Sequence, residues 1–349
     1  MHIKWINKGN VNEEVTEKRI YIYGYGSLGK TIGKWLQKNG IRDYYYCVDP
    51  EYMSEGLRSA EECFEQVRSG RALCIYAIGE AEAFETFRDR DFIPVVYAIF
   101  DPYEFWVWDE EAYLKHLSEL EEAREMLADE LSKKTFDRYL QAKRENNGSE
   151  IISDAPCCRK YFNELTEIHK EGIYVDCGAY NGDTIELFRA HYKDYQRKIY
   201  AFEPDDDSYQ VLQERYGTDK NVKLFKKGLW NSITTLSFCK GAGERSEIIS
   251  DGGIKIEVVP LDEEVNETVS YVKIGTANPR VILNGMRKIA KRDMPVIAAF
   301  ALFSFEDLLG IPKTLRELEN EYEKYKIYLR QHSLTSCGLL LYYAIPESR

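Results

Sequence analysis

Between residues 19 and 100 the chain alternates short apolar runs with polar stretches of helical spacing. RIYIY (19–23) gives way to GYGSLG, a helical stretch to Gln37, a stop at Gly40, and a second run, YYYCVD, ending at Asp49. Apolar runs bounded by glycine read as buried strands, and strand, helix, strand in succession predicts a βαβ unit. Further runs at 72–78 and 93–100 extend the parallel sheet. From Asp109 to about Asn147 the spacing turns helical, and Leu114, Leu117, Leu120, Leu127 and Leu131 are expected to form one apolar stripe opposite a charged, solvated face. ENNGSE, residues 145–150, is the expected linker.

The second half repeats the alternation. Strands are expected at 173–176, 199–202, 222–226, 256–259, 270–274, 295–301, 326–330 and 339–345, with helices between several of them. The last two are separated only by the loop QHSLTSCG, too short for a helical crossover, so the final strand is expected to run antiparallel. The pattern predicts an α/β protein of two Rossmann-like domains: an N-terminal domain over 1–108, a helical connector over 109–156, and a C-terminal domain over 157–349 with a terminal antiparallel strand.

IYVDCGAYNGDTIELF (173–188) carries the strongest chemical signal, an apolar strand running through a glycine turn directly into a helix. Gly178 and Gly182 permit positive φ and close backbone approach, and free N–H groups at the helix start are expected to face a ligand. Twenty-one residues after Gly182, the strand IYAF ends in Glu203, placed to grip two ribose hydroxyls. Turn and carboxylate together imply an adenosine-containing ligand. A dinucleotide carries a pyrophosphate and favours a turn without carboxylates. Asp176 and Asp183 bracket this one and suit the ammonium and sulfonium of S-adenosylmethionine better. In the N-terminal half Gly24, Gly26 and Gly29 match GxGxxG, and Asp49, twenty residues beyond Gly29, has the spacing of a ribose-binding acid. NAD or another nucleotide bound there is the alternative, as is plain helix-on-strand packing.

Composition narrows the partners. At 44% hydrophobic residues the chain reads as soluble and globular, and a net charge of −12 opposes a nucleic-acid backbone. The longest apolar run, Val296–Phe303, is too short to span a bilayer, and no basic, apolar leader opens the sequence, which predicts a cytoplasmic protein. Eight cysteines include no CxxC pair, and adjacent Cys157 and Cys158 are poorly placed to share a metal, so reduced structural thiols and no metal site are expected.

VDCGAYNGDT, AFEPD, VKLFKKGLW, VVPLDE, VSYVKI and the closing YLRQHS with LLLYYAI together resemble the FkbM family of methyltransferases over roughly residues 125–349. The resemblance implies the class I fold, S-adenosylmethionine as cofactor, and a hydroxyl of a sugar, glycan or related small molecule as acceptor; it leaves oligomerisation open. By position it implies that Asp176, Gly178 and Gly182 line the methionine end, with Tyr180, Asn181 and Asp183 of the same turn also cofactor-binding, that Glu203 holds the ribose, and that Asp205 and the Lys227, Gly228 and Leu229 region lie near adenine. The chain departs from the family where the family reads KIDxEGxE: here it reads KIGTANPR, with Gly275 for the first Asp and Ala277 where a Glu is expected. Leu302 and Phe303 stand where a Tyr-His pair is usual. Asn278 is expected to cap the next helix and Pro279 to open it. The remaining base candidates are His332, expected on a surface loop, Asp307, Glu306 and Asp262. Three readings stay open: an O-methyltransferase-like protein, a degenerate homologue with a binding, structural or regulatory role, and an oxidoreductase using the N-terminal glycines.

Overall fold

The computed structural model describes residues 2–15, 18–79, 81–89, 95–104, 106–152, 159–168, 171–193, 198–239, 247–249, 253–301, 304–333 and 339–347. The chain divides into two compact units: Met1–Lys115, Lys134–Arg159 and Gln331–Leu339 form the first, and His116–Lys133, Lys160–Arg330 and Leu340–Arg349 the second. The 109–156 stretch is thus shared between them.

The first unit is built on a six-stranded sheet of β1 (His2–Ile6), β2 (Arg19–Tyr23), β3 (Tyr44–Val48), β4 (Arg58–Ser59), β5 (Ala72–Tyr76) and β6 (Val95–Ile99), in the order β1-β6-β5-β2-β3-β4. Every pairing is parallel. Alternation along β2 explains the layers: Ile20 and Ile22 join a core with Ile32, Trp35 and Leu36 of helix Ser27–Lys38. Tyr21 and Tyr23 point to the other face, beside Cys63 and Phe64 of helix Ala60–Arg68. Both faces are covered, so the strands read as continuous apolar runs. Cys47, Cys63 and Cys74 are buried free thiols in that second layer.

The second unit holds β7 (Ile173–Cys177), β8 (Ile199–Phe202), β9 (Val222–Phe225), β10 (Gly228–Leu229), β11 (Thr234–Cys239), β12 (Glu247–Ile249), β13 (Ile254–Val259), β14 (Val269–Ile274), β15 (Val296–Phe300), β16 (Tyr325–Gln331) and β17 (Leu340–Pro346). Seven form one sheet in the order β16-β17-β15-β14-β7-β8-β9. The five strands from β15 to β9 are mutually parallel, while β17 runs antiparallel to β15, the reversed strand that the short loop predicts. Residues 334–338 of that loop lie outside the described residues. All residues of β7, β8, β14 and β15 are buried, as central strands covered on both faces must be.

The strand expected at 256–259 is present as β13, which pairs with β11 and β10 in a separate four-stranded sheet. Two expectations are corrected. The leucine stripe breaks up, since the helix is interrupted into Glu110–Lys115, Leu117–Glu125 and Glu130–Glu145, and each break resets the rotational phase. Leu120 and Leu127 are buried, but Leu114, Leu117 and Leu131 are exposed. Asn278 sits at the N-cap of helix Pro279–Asn284 with φ +62° and makes no side-chain cap bond; Pro279 does open that helix. Within the 145–150 segment, Gly148 lies against the Trp5 ring, where a Cβ would come within 2.4 Å of an indole carbon.

Candidate cofactor site

Parallel strands deliver their chemistry at their carboxyl ends. β7 ends at Cys177, and the chain turns through Gly178, Ala179, Tyr180, Asn181 and Gly182 into helix Asp183–His191. Three of these residues are left-handed: Gly178 (φ +75°), Tyr180 (φ +49°) and Gly182 (φ +83°). The two glycines are also sterically required. A Cβ on Gly178 would stand 2.2 Å from Thr276 Cγ2, and one on Gly182 2.4 Å from a Tyr216 ring carbon.

Such a turn persists only where its surroundings hold it, and four side chains do. Glu203, just beyond the end of β8, accepts from the Tyr180 N–H at 2.8 Å. Lys273 donates to the Gly178 carbonyl at 2.8 Å, Tyr216 donates to the Gly182 carbonyl at 3.1 Å, and Arg215 donates to the carbonyl of Asn181. The expectation of free N–H groups facing a ligand is corrected here. The N–H groups of Gly178 and Ala179 bond to the Phe202 carbonyl, that of Gly182 to the Ala179 carbonyl, and that of Asp183 to Asn181 Oδ1.

Glu203 is buried, and its other oxygen accepts from the Asp205 N–H at 2.9 Å. Burial pushes its carboxyl pKa up against the two backbone bonds that pull it down. Asp205 caps helix Asp206–Tyr216 by accepting from the Ser208 N–H at 3.0 Å. Gly228 and Leu229 form β10, paired with Val258 and Val259.

Asp176 differs most from its expected part. It is fully buried in β7, and the parallel register sets it beside Lys273 of β14, whose Nζ lies 3.0 Å from its Oδ1. Its Oδ2 accepts from the Thr184 hydroxyl. Its charge is therefore compensated within the protein. Burial alone would lower the lysine pKa, but Asp176 overrides it and the ammonium is held above its usual range. Asp183 is exposed, and its Oδ1 accepts from the Thr184 N–H at 2.8 Å. Lys273 was absent from the residues singled out by sequence. The available signal was a charge inside the otherwise apolar stretch VSYVKI, which must have a partner when buried.

The base candidates belong to different elements. Both oxygens of Asp262 accept backbone N–H groups, from Lys288 at 2.9 Å and Ile289 at 2.8 Å, and so hold the start of helix Arg287–Asp293. Asp307 is buried in the first turn of helix Phe305–Glu317, where its N–H donates to Ser304 Oγ at 3.0 Å, and burial raises its pKa. His332 belongs to the first unit and is buried, not on the surface, with its N–H bonded to the Leu339 carbonyl. Gly275 and Ala277 follow β14 as expected; Leu302, Phe303, Cys157 and Cys158 lie outside the described residues.

In the first unit Gly24 (φ +117°) ends β2, Gly26 precedes helix Ser27–Lys38, and a Cβ on Gly29 would stand 2.1 Å from the Gly24 carbonyl oxygen. Close helix-on-strand contact accounts for that third glycine. Asp49 accepts from the Tyr23 phenol at 2.6 Å.

Among the described residues no three His, Cys, Asp or Glu side chains could hold a metal ion together. Cofactor affinity is therefore expected to be the same before and after exhaustive chelation. Stoichiometric metal surviving in a washed sample, and lost on mutating Asp262 or Glu306, would overturn that expectation. No described helix is long and apolar enough to cross a membrane.

No protein-family model and no curated protein matches the chain. Among solved structures, the methyltransferase FkbM from Methylobacillus flagellatus KT superposes with a TM-score of 0.60 at 17% identity, covering 97% of this chain and 92% of that one. A SAM dependent methyltransferase from Aquifex aeolicus covers 57% of this chain and 97% of its own at 15% identity and a TM-score of 0.31. An rRNA methylase from Streptococcus thermophilus covers 51% of this chain and 89% of its own at 15% identity and a TM-score of 0.31. Scores as low as these last two carry no weight, whereas the first extends over nearly the whole chain and accords with the strand order and the reversed β17. The chain has the fold of the FkbM methyltransferase, with a class I methyltransferase sheet in its second unit.

Proposed function

We propose that the second unit binds S-adenosylmethionine through the 176–183 turn and Glu203, and that the chain is a methyltransferase-like protein acting toward a hydroxyl of a sugar, glycan or related small molecule. One observation carries the reading: the carboxylate ending β8 and the left-handed turn ending β7 are joined by the Tyr180 N–H to Glu203 bond at 2.8 Å. The donor set fits the ligand. An ionised carboxylate has about four acceptor positions; Glu203 uses one on each oxygen for backbone N–H groups, which leaves capacity for two ribose hydroxyls. The cofactor supplies an electrophilic methyl group on a sulfonium. The chain's own part is to fix the turn, hold the ribose and keep the pocket floor rigid. A cytoplasmic location and small-molecule partners accord with the composition. The acceptor class rests on the family resemblance.

Calorimetric titration with S-adenosylmethionine, its demethylated product and NAD tests the proposal. Glu203→Ala is expected to weaken binding by about 1.5 to 3 kcal/mol, roughly 10- to 150-fold, the range of hydrogen bonds to a charged group. Because burial raises the Glu203 pKa, affinity should increase with pH from the ordinary glutamate value of about 4.3 upward, levelling once the group is ionised. A Glu203→Ala protein that binds as tightly as the parent removes the pocket assignment. Tight NAD binding instead favours the oxidoreductase reading.

A second reading, a homologue that binds the cofactor without efficient transfer, is favoured by the residues after β14. Gly275 and Ala277 supply no acid, and Asp262 is occupied in holding a helix.

A further inference from the structure

We infer that Lys273 is a positioning residue for the cofactor turn, clamping the Gly178 carbonyl from β14 along a path that Gly275 leaves open. The inference rests on the cofactor reading above for its purpose, though not for its geometry.

An ion pair with Asp176 would satisfy the charge of Lys273 without any contact to the turn. The ammonium instead lies 3.0 Å from Asp176 Oδ1 and 2.8 Å from the Gly178 carbonyl oxygen, with the Cys177 carbonyl at 3.4 Å. Its donors are thus aimed at the last residue of β7 and the first of the turn. The opposite side of the turn is held by Glu203 through the Tyr180 N–H. Two buried groups of opposite character therefore grip it, the ammonium by a carbonyl and the carboxylate by an N–H.

Room for the clamp comes from residue 275. A Cβ there would stand 2.6 Å from both Cε and Nζ of Lys273 and 3.2 Å from the Tyr161 hydroxyl. The end of a lysine ordinarily yields to such an intrusion. Here Asp176 and the Gly178 carbonyl pin it, and the Tyr161 ring lies 5.4 Å away, so yielding means releasing the turn. A Cβ on Gly178 would stand 2.2 Å from Thr276 Cγ2, so the left-handed residue whose carbonyl the lysine holds must itself be glycine. Glycine at 275 is accordingly part of the clamp as well as a missing acid.

The test uses the full chain, ligand-free and with ligand, as parent, Gly275→Ala and Lys273→Met. In hydrogen exchange, the amides of Gly178, Ala179, Tyr180 and Gly182 should exchange about tenfold faster in both variants, as loss of one hydrogen bond implies. Amides in the middle of β7, β8 and β14 should keep their protection. Affinity for the demethylated cofactor product should fall by about tenfold. Affinity for adenosine, held chiefly by Glu203, should change less than about twofold, within ordinary surface-substitution effects. Unchanged exchange in the turn overturns the inference. So does acceleration spread evenly through the sheet, or equal loss of both ligands, since either marks Lys273 as a support of the fold alone. A loosened turn with unchanged affinity for the product overturns the positioning role. If Lys273→Met does not fold, Gly275→Ala, which keeps both charges, decides by itself. If the parent binds neither ligand, the cofactor reading fails, while the exchange pattern still decides whether the clamp exists.

Discussion

Replacing Asp176 with alanine is expected to destabilise the second unit by about 3 to 5 kcal/mol, seen as a lower urea midpoint at unchanged slope. Asp176 is wholly enclosed, and its removal strands the Lys273 ammonium, itself buried, beside the Gly178 and Cys177 carbonyl oxygens without the carboxylate that neutralises it. Removing one member of a buried pair costs far more than the pair contributes, because the surviving charge keeps its desolvation penalty. Asp176→Asn should fall between parent and alanine: it keeps an acceptor for the Thr184 hydroxyl and loses the charge. The sign of the pH effect follows from the raised lysine pKa. Its stabilisation is fully present below the unfolded lysine value of about 10.4 and is lost as pH rises through the higher folded value. The parent should therefore lose more stability than Asp176→Ala in that alkaline range. A destabilisation under about 1 kcal/mol, the range of exposed pairs, would show that water reaches the pair and that it is not buried as described.

Methyl transfer to sugar hydroxyls is expected to be slower by about 10² to 10⁴ than in an enzyme with a positioned general base. A hydroxyl becomes a competent nucleophile as its proton leaves, and the acceptor end offers no acid at 275 or 277. Asp262 is tied to the N–H groups of Lys288 and Ile289, and Asp307 is buried in the first turn of its helix. The proposed cofactor turn is in contrast held on both sides, by Glu203 and by Lys273. The measurement is transfer of labelled methyl from S-adenosylmethionine to a panel of sugars and nucleotide sugars. Turnover near about 1 s⁻¹, inside the ordinary enzyme range, that disappears in His332→Ala or Asp307→Ala would establish a working base and remove the expectation.

The parts of the molecule legible in advance share a cause. β7, β8, β14 and β15 are buried on both faces, so their sequences are apolar runs interrupted only at Asp176, Ser270 and Lys273, and no knowledge of neighbours is needed to recognise them. The short loop before β17 excludes a crossover, and the antiparallel partner follows. Glycines at 178 and 182 and the acid ending the next strand are local signals, and they mark the turn that Glu203 meets. Where the chain merely continues a period across a break, the reading fails: the leucine stripe assumed one helix where there are three.

The sequence by itself determined the two parallel sheets, the reversed last strand and the place of the glycine turn, because each depends on periodicity, loop length or backbone freedom within a few residues. Tertiary structure alone decided what the charged residues do. Asp176 and Lys273 are 97 positions apart and meet only because β14 lies beside β7 in one particular register. Asp262 bonds to residues 288 and 289, and β13 finds its partners in β10 and β11, in a sheet of their own. A buried charge must find a partner, but which partner is settled by the packing of distant elements, and that choice turned an acid expected to meet the ligand into one that neutralises a lysine.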